Sequence, residues 1–90
     1  MENFNSELLA EKLQDAILYD EITGNPYAPE ERAENLDAVR QKLLVMGGIF
    51  EKIDDMSMAT RMVFSATFIR VVDTYLETVE KHEELLAAGR

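Results

Sequence analysis

The sequence predicts an all-α protein, a three-helix bundle built on a long antiparallel helical hairpin. Three observations support this class. Apolar residues recur three and four positions apart through most of the chain, glycine and proline are confined to a few positions, and no segment has the pattern of a strand. A chain of 90 residues is the size of one domain, so residues 1–90 are expected to form a single helical unit.

Helix 1 is expected to span about residues 6–22. Asn5 and Ser6 are candidate N-caps because their side chains can accept hydrogen bonds from the free N–H groups of a first turn. The helical spacing is marked by the apolar residues Leu9, Leu13, Ala16 and Ile17. The pattern stops at the segment Thr-Gly-Asn-Pro-Tyr-Ala-Pro, positions 23–29, because glycine and proline disfavour a helical backbone.

Helix 2 is expected to span about residues 29–53. Pro29 suits a first turn because its fixed φ is helical and its missing N–H is not needed there. Two adjacent glycines, Gly47 and Gly48, weaken the helix by about 1 kcal/mol each and leave a kink open. The apolar residues keep their helical spacing across these glycines, which favours one continuous helix. In such a helix the glycines would let another backbone approach closely. The apolar residues of this pattern are Leu36, Val39, Leu43, Met46, Phe50 and Ile53.

Helix 3 is expected to span about residues 57–87. Asp54, Asp55 and Ser57 supply a short turn and a cap, and neither glycine nor proline follows until Gly89. At about 1.5 Å per residue the helix is about 45 Å long, which is more than helix 1 can cover. The tight turn before it predicts an antiparallel hairpin with helix 2.

Helix 3 carries two neighbouring apolar stripes, which together cover about half of its circumference. The first consists of Met62, Ile69, Val72, Leu76 and Val79. The second, mainly aromatic, consists of Phe64, Phe68, Val71 and Tyr75, with His82 on the same line. Either helices 1 and 2 bury both stripes within a monomer, or the aromatic stripe and His82 form the interface with a partner helix or in a homodimer. A homodimer is the favoured alternative.

The charge of the chain limits the choice of partner. Its 18 acidic and 9 basic side chains give a net charge of −9, which attracts basic proteins but repels nucleic-acid backbones and anionic membranes. One face of helix 3 carries a ladder of carboxylates about 16 Å long, formed by Asp73, Glu77, Glu80 and Glu84. The ladder is either a solvated face, partly neutralised by Arg70 and Lys81, or a mimic of a nucleic-acid strand.

Catalytic and metal-binding residues are not predicted. The chain has no cysteine and one histidine, His82, which excludes thiolate sites and histidine-rich metal sites. No glycine-rich phosphate loop follows a strand, so no cofactor is expected.

One acidic pattern nevertheless points to an enzyme. Glu30, Glu31 and Glu34, followed by Glu51 and Asp54, read as EExxE…ExxD. This pattern resembles the signature of the MazG-like all-α nucleotide pyrophosphohydrolases. In that family the carboxylates hold magnesium beside the substrate phosphates, so the resemblance implies a magnesium-dependent nucleotide hydrolase.

The function predicted from these features is the binding of another protein, as a regulator or an inhibitor. Small acidic accessory proteins of phages and mobile elements act in this way, which makes them the nearest analogy. A nucleic-acid mimic and the hydrolase are the alternatives. Because the apolar runs are far shorter than about 18 residues and the start, Met-Glu-Asn-Phe-Asn, lacks the features of a signal peptide, a cytoplasmic location is expected.

Overall fold

A computed structural model describes residues 6–90 of the chain, with side chains for residues 11–52 and 54–90. Most of this part is helical: α1 is Ser6–Leu18, α2 is Pro29–Phe50 and α3 is Met58–Ala87. A short 3-10 helix, Ile53–Asp55, lies between α2 and α3. The all-α class predicted from the sequence is confirmed, although α1 and α2 both end earlier than predicted.

α1 ends at Leu18, rather than at residue 22, because Asp20 diverts the backbone into a turn. The Asp20 carboxylate accepts a hydrogen bond from the N–H of Ile22 at 2.8 Å. The backbone carbonyl of Asp20 accepts a hydrogen bond from the N–H of Gly24, also at 2.8 Å. Gly24 has a φ of +73°, which glycine adopts without strain. The turn then folds back on α1, since the N–H of Tyr27 donates to the carbonyl of Leu18 at 2.8 Å.

α2 begins at Pro29, as predicted, and ends at Phe50 rather than at residue 53. After Phe50 the N–H of Lys52 donates to the carbonyl of Ile49 at 3.0 Å. Hydrogen bonds over three residues wind the backbone more tightly than those of an α-helix. The predicted last turn of helix 2 is therefore a separate 3-10 helix.

Gly47 and Gly48 lie inside α2, which continues through both of them as one helix. A Cβ atom placed on either glycine would meet nothing within 4 Å. The close approach of another backbone, expected from the sequence, is not made within residues 6–90.

α3 is one uninterrupted helix of 30 residues, as predicted. Ser57 caps its start, because its side-chain oxygen accepts from the N–H of Thr60 at 3.3 Å. The helix ends before Gly89, which has a φ of +78°. Its length of about 45 Å accounts for the longest dimension of the molecule, 47 Å.

The hydrophobic core lies at one end of the molecule, where the three helices meet. Ile17 and Leu18 of α1 and Leu36 of α2 are buried there. Partly buried apolar residues surround them: Leu13, Tyr19, Val39, Tyr75, Val79 and Leu85. The residues that α3 contributes come from its C-terminal half, so α1 covers that half and the other half packs mainly against α2.

This arrangement leaves the chain elongated, with an unusually large surface. The radius of gyration is 15.1 Å, whereas a compact domain of this length has about 12 Å. The accessible surface is 6602 Å², whereas a compact monomer of this mass exposes about 5,400 Å². The molecule therefore exposes about 1,200 Å² more than a compact monomer of its mass.

Two kinds of element are missing from residues 6–90. No strand is present, since the pairing of Tyr19 with Pro26 is an isolated bridge. In the same part of the chain no helix combines the length and the apolar character needed to cross a membrane.

Candidate binding surfaces

The aromatic residues of the predicted interface pack in part inside the hairpin. Phe64 and Phe68 of α3 lie against Phe50 of α2, with ring centroids 6.0 and 5.3 Å from that of Phe50. All three side chains remain half-buried. Aromatic pairs contribute about 0.5–1.5 kcal/mol beyond the burial of their surface, so the cluster holds α2 to α3 where α1 is absent.

The other members of the predicted interface lie elsewhere along α3. Val71 is half-buried, and Tyr75 packs against the core at the end where three helices meet. His82 lies about two turns after Tyr75 and contacts Arg32 of α2. The five residues therefore do not form one open surface, although Phe64 borders a groove that is described below.

His82 belongs to an internal contact between α3 and the start of α2. Its Nδ1 accepts a hydrogen bond from Nε of Arg32 at 2.9 Å, which requires a neutral imidazole with its proton on Nε2. Partial burial and the Arg32 guanidinium lower the pKa of His82 from its ordinary value of 6.5, and the neighbouring Glu83 opposes this shift.

We expect the thermal stability of the protein to fall as the pH is lowered from about 7.5 to about 5.5, above the range in which most carboxylates titrate. Because the pKa of His82 is lowered below 6.5 in the folded state, the unfolded chain takes up the proton first and is favoured in this window. His82→Gln keeps an acceptor and does not titrate, so its melting temperature should change less. Circular dichroism melts at several pH values measure both proteins, and equal pH dependence in the two would contradict the expectation.

Arg32 is fully buried, and nothing in the sequence singles it out. Besides His82, its guanidinium donates to the carbonyl of Tyr27 and to the backbone oxygen of Arg90, both at 2.5 Å. Among the side chains that the structure describes, no ion pair involves it. Arginine is rarely buried, so an arginine in the first turn of an acidic helix start is ordinarily interpreted as a surface charge. Here it joins the turn before α2 to the end of α3.

α3 has two buried threonines, Thr74 and Thr78, and the second of them contacts α1. Their hydroxyls donate to carbonyls four residues earlier in α3, at 2.8 and 2.6 Å, so these polar groups are satisfied within their own helix. Gln14 of α1 donates to the Thr78 hydroxyl at 3.4 Å and accepts from Nζ of Lys81 at 2.9 Å. The side of α3 that carries these threonines is the side that α1 covers.

The opposite side of α3 carries an exposed aliphatic stripe, here called the outer stripe: Met62, Ile69 and Leu76. These residues recur every seven positions, and Ile69 lies about 180° around the helix from Thr78. Their exposed fractions are 66%, 57% and 55%. The sequence predicts the aromatic stripe as the interface with a second chain, but α1 and α2 leave Met62, Ile69 and Leu76 of the other stripe more exposed.

A shallow apolar groove lies on another flank of α3, near its start. Its volume is about 480 Å³, and its lining consists of Ala59, Thr60, Val63, Phe64 and Thr67. Val63 is 67% exposed and lies about 120° around the helix from Ile69. Thr67 precedes Thr74 by seven residues, so the groove continues the side of α3 that α1 covers farther along.

The carboxylate ladder is an open row. Its four members, Asp73, Glu77, Glu80 and Glu84, are all exposed. In the part of the chain with described side chains, neither Arg70 nor Lys81 forms an ion pair with them, and Lys81 instead donates to Gln14. The partial neutralisation expected from the sequence is therefore not made by direct pairing.

The two acidic motifs that resemble the pyrophosphohydrolase signature lie at opposite ends of α2. Glu30 and Glu31 are in its first turn, whereas Glu51 follows its end and Asp54 is in the 3-10 helix. A separation of about 20 helical residues corresponds to about 30 Å, whereas carboxylates that share a magnesium ion must all come within about 2.1 Å of it. Nor do the described side chains contain a group of three or more acidic, histidine or cysteine residues that could hold a metal. Within the described part of the chain, the carboxylates of the two motifs are therefore not brought together.

No protein-family model matches the chain, and neither the curated proteins nor the solved structures include a significant match.

Proposed function

We propose that the chain is a protein-binding regulator or inhibitor that docks an amphipathic helix of its partner in the groove beside Val63. The observation that supports this most directly is the position of the groove, which lies on the half of the hairpin that α1 leaves uncovered. α1 already packs on the same side of α3, over Thr74 and Thr78. A partner helix in the groove would extend the three-helix packing to the rest of the hairpin.

The partner helix should have an apolar stripe and a basic polar face. The apolar stripe would fill the groove and contact the exposed side chain of Val63 and the half-buried ring of Phe64. The basic face is favoured because the chain carries a net charge of −9, and because Asp73 and Glu77 follow the groove along the same helix. Charge complementarity of this kind raises association rates and selects against acidic partners.

The chain is further proposed to work as a homodimer and to catalyse no reaction itself. The excess of about 1,200 Å² over the surface of a compact monomer is larger than the roughly 800 Å² per partner that a standard interface buries. A cytoplasmic site of action, within a regulatory system of phage or mobile-element type, is the setting proposed from size and charge.

Affinity capture from an extract of the source cells, quantified by mass spectrometry, tests the groove. The unaltered chain should retain its partner at least about tenfold more strongly than Val63→Asp, because the variant places a charge in an apolar contact. Ile22→Asp is the matched control, since Ile22 is 94% exposed and lies in the turn after α1. The partner is then purified and titrated against the same proteins by calorimetry. Equal binding by Val63→Asp would rule out the groove.

A second candidate function, mimicry of a nucleic-acid strand, is favoured by the open carboxylate row. It makes a different prediction for the same capture experiment. Binding would be lost in a variant with Glu77 and Glu80 both changed to lysine, would weaken steeply with added salt, and would be unaffected by Val63→Asp.

A further inference from the structure

We infer that two copies of the chain pair through their outer stripes, with the two α3 helices antiparallel. The inference rests on the homodimer proposed above and assigns to it a face and an orientation. The groove beside Val63 lies on a different flank of α3 and stays open in such a dimer.

The outer stripe has the pattern of a coiled-coil seam. Val72 lies between Ile69 and Leu76 and Val79 follows Leu76, so that these four residues recur at spacings of three and four. Helices with such a seam bury it against another helix, because the apolar side chains would otherwise face water. In this chain Val72 and Val79 are only partly buried, and Met62, Ile69 and Leu76 all remain more than half exposed.

The distribution of charge along α3 favours a second copy and the antiparallel orientation. From Ser57 to Val72 the chain has two arginines, Arg61 and Arg70, and no carboxylate, and Arg61 also pairs with Asp54 of the preceding 3-10 helix at 3.5 Å. From residue 73 to residue 87 it has five carboxylates and one lysine. Antiparallel pairing places the basic half of each α3 beside the acidic half of the other, whereas parallel pairing would place the two carboxylate ladders side by side.

Two-fold symmetry then sets the register of the seam. A symmetric antiparallel contact centred at Ile69 brings Met62 of one copy opposite Leu76 of the other, and the reverse. α1 does not obstruct this contact, because its Gln14 contacts Thr78, which lies on the opposite side of α3. Met62, Ile69 and Leu76 are each more than half exposed, so a second copy can reach all three.

Sedimentation equilibrium of the purified full chain tests the face. The unaltered protein should reach twice its chain mass of 10.3 kDa in the micromolar range. Ile69→Asp should weaken the dimer at least about 100-fold, which corresponds to about 2.7 kcal/mol. Ile22→Asp is the matched control, since it makes the same change of residue at an exposed position in the turn after α1, and it should leave the dimer intact. Circular dichroism checks that both variants keep their helix content.

Disulfide trapping tests the orientation, and the chain suits it because it contains no cysteine. Met62→Cys and Leu76→Cys are prepared separately, mixed and oxidised, and the products are separated by mass. Antiparallel pairing should yield mainly the mixed disulfide between the two variants, whereas a majority of disulfides between identical variants would overturn the orientation.

The outcomes separate the inference from the proposed function. A dimer that withstands Ile69→Asp would overturn this face but leave the proposed dimer standing. A chain that stays monomeric at every concentration would overturn both, whereas the effect of Val63→Asp on partner binding would be unchanged in either case.

Discussion

Arg32→Met is expected to lower the free energy of unfolding by about 3 kcal/mol, a large share of the total for a domain of this size. The change removes the donors for Nδ1 of His82 and for the carbonyl of Tyr27 and the backbone oxygen of Arg90. Each unsatisfied buried acceptor costs about 1–3 kcal/mol. The three costs are not expected to add in full. The variant no longer buries a cation, and Arg90 is exposed, so that water can reach its oxygen.

The measurement is urea unfolding at fixed protein concentration, supported by a thermal melt that should shift by more than about 10 °C. Arg40→Met provides the matched control on the same helix. The Arg40 side chain is 51% exposed and pairs with Asp37 at 3.3 Å, an exposed contact worth less than about 1 kcal/mol. Similar stability of Arg32→Met and Arg40→Met would show that the buried guanidinium does not hold the helices together.

Leu18→Ala is expected to destabilise the protein by about 3 kcal/mol, within the range of about 2–5 kcal/mol for buried leucines. Leu18 is fully buried at the end of α1, and among the described apolar residues only Ile17 and Leu36 are also buried. A core this small cannot redistribute the loss over many contacts. The variant therefore should unfold at a much lower urea concentration, without a change in the slope of the transition.

Ile22→Ala is the control for this second prediction. Ile22 lies four positions after Leu18 and is 94% exposed, so its truncation should change the free energy of unfolding by less than about 0.5 kcal/mol. The comparison separates burial from hydrophobicity, since both changes shorten a branched aliphatic side chain. If the two variants were equally stable, the core would have to lie elsewhere than at the end of α1.

Local rules accounted for most of the helices. Pro29 begins α2, Ser57 caps α3, and α3 continues unbroken to the glycine that ends it, because each of these effects acts within a few residues of its cause. The same reasoning placed Ile22 in helix 1, where the helical pattern continues. The competing hydrogen bonds of Asp20 are also local, and they could have been predicted from an aspartate four residues before a glycine.

The candidate surfaces were predicted less well, because they depend on which helix lies against which. Two adjacent stripes on α3 looked equivalent in the sequence, and the aromatic one was assigned to a partner. In the structure Phe64 and Phe68 contact Phe50, while Met62, Ile69 and Leu76 lie on the side facing away from α1. The spacing of apolar residues within α3 does not determine which side of the helix α1 will cover.

By itself the sequence determined the helical class, the order and approximate extents of the three helices, the acidity of the chain and the width of the apolar surface on α3. These properties follow from interactions between residues close in sequence. Only the tertiary structure decided that α1 covers the threonine side of α3, that Arg32 is buried between α2 and the end of α3, and that one aliphatic stripe stays exposed. Those outcomes depend on contacts between residues more than fifty positions apart, such as Arg32 with Arg90. Such contacts form only when all three helices pack together.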